Sequence, residues 1–138
     1  MFKRLMFLFL FQAIFLVGAN AKSLYIQGYT SYDISRGNIN ISVDKIFNKR
    51  KSGRSGTLKL AIWLTDYPYS GGTIRGFVIG ETILGELEAN RYYENISETV
   101  KYYKPPRGRY YSTFVLSEYR DGRYLTVDYV TYDNRKSF

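Results

Sequence analysis

The sequence predicts an all-β fold, an antiparallel two-sheet β-sandwich of seven or eight strands. Three observations carry this. The chain has 15 Tyr and 9 Phe among its 138 residues, and Ile, Val and Thr are abundant, which suits pleated, half-buried surfaces. Turn signals recur about every ten residues, the spacing of a sandwich rather than of helices. Between those turns, apolar and polar residues alternate at the two-residue period of a strand.

Residues 1–21 stand apart. Lys3 and Arg4 precede an apolar run over 5–17, and Ala19-Asn20-Ala21 follows. That order is the pattern of a secretory signal peptide cut between Ala21 and Lys22. Residues 22–138 are then one exported domain, periplasmic or extracellular, since about 117 residues suit one core and not two. The chain carries 20 basic against 12 acidic residues, net +8. Loss of Lys3 and Arg4 with the leader leaves +6.

The elements follow in order. Residues 24–32 form a first strand with Leu24 and Ile26 on one face, and Ser35-Arg36-Gly37-Asn38 a turn. Residues 38–47 form the second: Ile39, Ile41 and Val43 alternate with Asn40, Ser42 and Asp44. Ile46 and Phe47 break that alternation, which predicts a bulge near Lys45. Residues 48–56 read as a basic hairpin loop. Residues 57–65 are the clearest strand, with Leu58, Leu60, Ile62 and Leu64 opposite Lys59, Ala61 and Trp63. A turn over 66–73 holds Pro68 and Gly71-Gly72.

Two short strands are expected at 74–79 and 82–87, around Gly80, then a turn of helix over 86–93. A strand over 95–103 leads to Lys104-Pro105-Pro106-Arg107-Gly108, an extended corner. Residues 109–119 are a central strand with Tyr110, Ser112, Phe114 and Leu116 on one face. Asp121-Gly122 marks a tight hairpin, residues 124–132 close the sheet, and 134–138 read as a frayed tail.

The corner Pro105-Pro106-Arg107-Gly108-Arg109-Tyr110-Tyr111 resembles the entry to strand F of immunoglobulin-like and fibronectin type III-like domains. That resemblance implies a structural tyrosine corner, in which Tyr110 bonds its hydroxyl to upstream backbone. Ser112 lies where true immunoglobulin domains place their second Cys, and Trp63 falls in the strand that keeps their buried Trp. The stretch 55–132 also resembles small β-sandwich units of exported bacterial proteins, through Ser55-Gly56-Thr57-Leu58, Trp63, Tyr69-Ser70-Gly71-Gly72-Thr73 and Asp128-Tyr129-Val130. It implies a fold and a compartment, not an activity.

The chain contains neither Cys nor His. Thiol chemistry and disulfides are excluded, and with them most zinc and haem ligation; no cofactor is expected. Absence of Cys in an exported domain of this size favours a bacterial envelope protein. Glu81, Glu86, Glu88, Glu94 and Glu98 cluster in sequence but read as solvated acids, and Asp128 as an outward residue paired with an Arg. No catalytic residue is expected.

Three candidate contact surfaces remain. Lys49, Arg50, Lys51 and Arg54 form a basic loop suited to anionic partners. Trp63, with Lys59 on its face, is an outward aromatic alongside Tyr103, Tyr111, Tyr119, Tyr124 and Tyr132. Tyr67 and Tyr69 occupy a constrained loop at a sandwich end. The expected function is a non-catalytic interaction module for a protein or envelope partner, with a glycan as a further possibility and nucleic acid not expected of an exported protein. An inhibitor or accessory subunit of an exported hydrolase and a carbohydrate-recognition module are the alternatives.

Overall fold

The computed structural model describes residues 22–138; the expected leader lies outside them. Eight strands follow in order: β1 (Leu24–Ser35), β2 (Asn38–Asn48), β3 (Leu58–Thr65), β4 (Phe77–Gly85), β5 (Tyr92–Lys101), β6 (Arg109–Arg120), β7 (Arg123–Thr131) and β8 (Lys136–Ser137). One sheet has the order β1-β2-β5 and the other β4-β3-β6-β7, with β8 added to the start of β6. Every pairing is antiparallel. Among the described residues there is no helix, and so none long and apolar enough to cross a membrane.

The expected sandwich is present, and its core is the alternation read from sequence. Ile39, Ile41 and Ile46 of β2 face Leu58, Leu60, Ile62 and Leu64 of β3 and Phe114 and Leu116 of β6, all buried in one cluster. On β2 the inward face switches between Val43 and Ile46, as the sequence indicated. The extra residue itself sits opposite, on β1, where the register shifts between Gln27 and Thr30. Gly28 there has φ +85°, and a Cβ would lie 2.5 Å from Asp44 Oδ2. The Tyr29 amide donates to that same carboxylate oxygen at 2.8 Å. A bulge in an edge strand also obstructs pairing with another chain.

Several expectations are corrected. Residues 48–56 are not a hairpin loop: β2 and β3 lie in different sheets, so the segment is a crossover. The two short strands expected around Gly80 are one, β4, because Gly80 lets the backbone approach β2. An added Cβ would lie 2.4 Å from Ile39 Cγ2. The turn of helix expected over 86–93 is absent; its place is taken by a turn at Ala89-Asn90 and the early start of β5. The tail is not frayed. β8 pairs with Arg109 and Tyr110, and Phe138 and Gly108 exchange backbone hydrogen bonds of 2.8 and 3.2 Å. Asp128 does not face outward. A register shift between Leu116 and Ser117 places it opposite Leu116, buried.

Polar ties join the layers without a disulfide, four of them where β1 and the crossover meet β6 and β7. Tyr32 Oη on β1 donates to Ser112 Oγ on β6 at 2.9 Å. Thr30 Oγ1 and Tyr132 Oη share a 2.7 Å bond. Asp128 Oδ2 accepts from the Ile26 amide at 2.7 Å while Oδ1 meets Lys22 Nζ at 2.6 Å. The fourth tie, at the crossover, belongs to the first candidate surface.

The Gly80 contact is testable by a double-mutant cycle. Gly80→Ala alone overpacks the site and costs about 2 kcal/mol; Ile39→Ala alone leaves a cavity and costs about 3 kcal/mol. Because the new methyl group enters the space that Ile39 vacates, urea unfolding of the double variant shows a loss well below the sum. Strict additivity removes the proposed close approach.

Candidate functional site

Of the four cations in the basic loop, the fold itself uses two. Glu118, on β6, is 1% exposed. Arg50 Nη1 and Nη2 each donate to it at 2.8 Å, a bidentate fork. The Gly56 amide adds a 2.9 Å bond, and Arg120 Nε lies 3.3 Å away. The guanidinium of Arg50 is the main reason that the Glu118 carboxyl titrates below its ordinary range, with the Gly56 amide helping and burial opposing. Arg54 is exposed and pairs with Glu86 at 3.2 Å and Glu88 at 3.4 Å. Lys49 and Lys51 are exposed and have no ion pair among the described residues. The crossover is therefore largely neutralised where it meets β6.

Trp63 and Lys59 lie on the outer face of the five-stranded sheet, both half-buried. Lys59 Nζ sits 4.1 Å from the centre of the Tyr124 ring and 3.2 Å from Glu81 Oε1. Ala61 and Val115 on that face are 2% and 3% exposed. The face thus carries a second, thin apolar layer. Tyr119 is exposed and packs edge-on against Tyr124 at 5.2 Å, while Tyr111 is half-buried; Tyr132, expected outward, instead turns between the layers, against Tyr32 and the core.

The two tyrosines of the β3–β4 loop separate. Tyr69 is 9% exposed, packs edge-on against Tyr129 at 4.7 Å, and donates its hydroxyl to Gly72 O at 2.5 Å. Thr131 Oγ1 donates to Tyr69 O at 2.7 Å. These contacts lay the loop over β7 and border an open cleft of about 610 Å³, lined in part by Tyr69, Thr73, Arg123, Tyr124 and Tyr129. Tyr67 points away and is 81% exposed. Its carbonyl accepts a 2.6 Å bond from Thr65 Oγ1, so the exposed ring stands on pinned backbone.

At the same end, Tyr110 Oη donates to Pro106 O at 2.7 Å. Its ring lies between Phe77 at 5.8 Å and Phe138 at 6.1 Å. Tyr103, 53% exposed, is held by its amide, which donates to Ile79 O at 2.8 Å. Around these rings stand Arg36, Arg75, Lys101, Lys104 and Arg107, all exposed and none in an ion pair among the described residues. Sequence reading missed this cluster because its members come from separate segments. The available signal was a Lys or Arg at nearly every strand terminus of one end, which becomes a cluster only once strand directions are known.

The acidic series does not converge into an acid–base pair. Glu81, Glu86 and Glu88 are engaged by Lys59 and Arg54, and Glu94 and Glu98 are exposed on β5. Among the described residues no group of three or more carboxylates is placed to hold a metal ion.

No family model and no curated protein matches the chain. Among solved structures it is similar to a β-glucosidase from Kluyveromyces marxianus, at 10% identity and TM-score 0.39, over 86% of this chain and 15% of that one. It is also similar to R. palustris CsgH, at 13% identity and TM-score 0.29, over 74% of this chain and 87% of that one. The chain spans only a small part of the glucosidase. Both likenesses are distant and bear on neither function nor partner.

The Arg50–Glu118 fork makes two predictions. Arg50→Met lowers unfolding stability by about 3 kcal/mol, the effect of stranding a buried charge. Because the folded pKa of Glu118 is depressed, its contribution is present above the unfolded value and lost as pH falls through the folded one. Thermal unfolding of residues 22–138 accordingly loses stability below about pH 4.5, and Arg50→Met flattens that dependence. An unchanged profile in the variant contradicts the assignment.

Proposed function

We propose that this chain is an exported, non-catalytic interaction module of immunoglobulin-like topology that docks end-on to a component of the bacterial envelope. The observation that carries the reading is the composition of the Tyr110 end. Tyr67 and Tyr103 stand exposed on pinned backbone, interleaved with cations that have no internal carboxylate partner. Rigid amphipathic rings give contact area at small entropy cost, the property that binding surfaces use. Export rests on the leader pattern. The immunoglobulin-like assignment is supported by the sheet order β1-β2-β5 against β4-β3-β6-β7 and by the Tyr110–Pro106 bond.

A second reading, insertion into the cleft of an exported hydrolase, is favoured by one observation: Tyr67 projects from a loop stiffened by Pro68. Retention of residues 22–138 on washed bacterial envelope fragments separates the two. End-on docking predicts retention, with about tenfold loss for each of Tyr67→Ser and Tyr103→Ser and no change in circular dichroism. Retention unaffected by both substitutions rejects it, and loss of a co-expressed hydrolase's activity on binding selects the inhibitor reading.

A further inference from the structure

The end-on surface also has a charge pattern that the sequence hid. Ion pairs among the described residues lie along the crossover, on the outer sheet face and at the β1–β7 contact, on Lys22, Arg50, Arg54, Lys59 and Arg120. The opposite end has none. Arg36 stands in the β1–β2 turn, beside Lys101 at the end of β5, since Asn38 pairs with Lys101 and the Tyr102 amide donates to Gly37 O at 3.1 Å. Lys104 and Arg107 flank the Pro105-Pro106 corner, and Arg75 precedes β4. Docking of the tail adds two more cations: Lys136 lies 5.3 Å from the centre of the Tyr32 ring and Arg135 5.9 Å from that of Tyr111. This half also holds Asp33, Asp66, Glu98 and Asp133, and none of them is ion-paired among the described residues.

Resting on the end-on reading above, we infer that the Tyr110 end is a peripheral docking face for an anionic phospholipid bilayer. Charge complementarity supplies the attraction, on the order of a five-fold gain in binding for each Lys or Arg brought near such a surface. The aromatic residues select a bilayer over a soluble polyanion. Tyr67, Tyr103 and Phe77 are exposed on the same end, and Tyr rings beside Lys and Arg are the side chains that settle at the headgroup level. Lys101 Nζ lies 5.1 Å from the Tyr103 ring centre, so a cation and a ring arrive at the headgroups together. The face is made of turns and strand ends, a form that meets a surface rather than threading a polymer.

Flotation of residues 22–138 with vesicles tests this. Vesicles of phosphatidylglycerol and phosphatidylcholine carry the protein upward at low salt, and those of phosphatidylcholine alone do not; added salt releases it. Lys104→Ser with Arg107→Ser weakens binding about 30-fold, and Tyr103→Ser weakens it at constant charge. Lys49→Ser with Lys51→Ser, at the far end, changes it by less than about threefold. All variants retain the parent circular dichroism, because these side chains are exposed and lie outside the core. Equal binding to both vesicles, or equal loss from substitutions at either end, overturns the inference. Binding to dextran sulfate without flotation reassigns the face to a polyanion and overturns it too. Retention on envelope fragments with no flotation overturns the lipid assignment while leaving end-on docking in place.

Discussion

Two apolar sheet faces must be held against each other by a chain with no Cys, and the polar ties across the sandwich answer that constraint. Ser112 is instructive. It occupies the position at which the resemblance to immunoglobulin domains implies a sulfur, and it accepts a hydrogen bond from Tyr32 of the opposite layer. Asp128 and Glu118 act similarly at two further places, each a buried carboxylate receiving backbone amides and a basic side chain. Buried charges are tolerated when their acceptors are filled. Such groups fix how the layers meet, whereas Leu and Ile contacts are adaptable in register.

This constraint sorts the cations by role. Arg50 sits in a loop that looks like an anion-binding patch in sequence, yet it is the clamp that fastens the crossover to β6. Arg54 holds the same crossover to the segment before β5. Lys22 is drawn to Asp128. What remains unpaired at the opposite end is fixed by the same tight folding: the Tyr110 hydroxyl holds the corner, Phe138 closes over its ring, and β8 carries Lys136 into place. A tail that had frayed would leave the cations there dispersed.

Much of the fold was legible. The alternation of Leu58, Leu60, Ile62 and Leu64 has one meaning in a strand, and Asp121-Gly122 names its own hairpin. Features set by neighbours distant in sequence were not legible. Gly80 looks like a break until Ile39 is seen against it. Residues 134–138 look disposable until Gly108 supplies their partner. Asp128 changes face because a bulge one residue earlier reverses the alternation. The proposed docking face was the least legible for the same reason: Tyr67 was named, but Tyr69, named with it, proved to be an anchor, and the cations at that end are scattered through the sequence.

Which basic residues the fold itself engages decides which remain available, and Glu118 reports this directly. Carbon-detected NMR titration of the glutamate side chains in residues 22–138 predicts that Glu118 titrates below the ordinary carboxylate range, and that Arg50→Met moves it upward. A Glu118 that titrates at or above the ordinary value would mean that Arg50 does not clamp the crossover, and the division between engaged and available cations would fail.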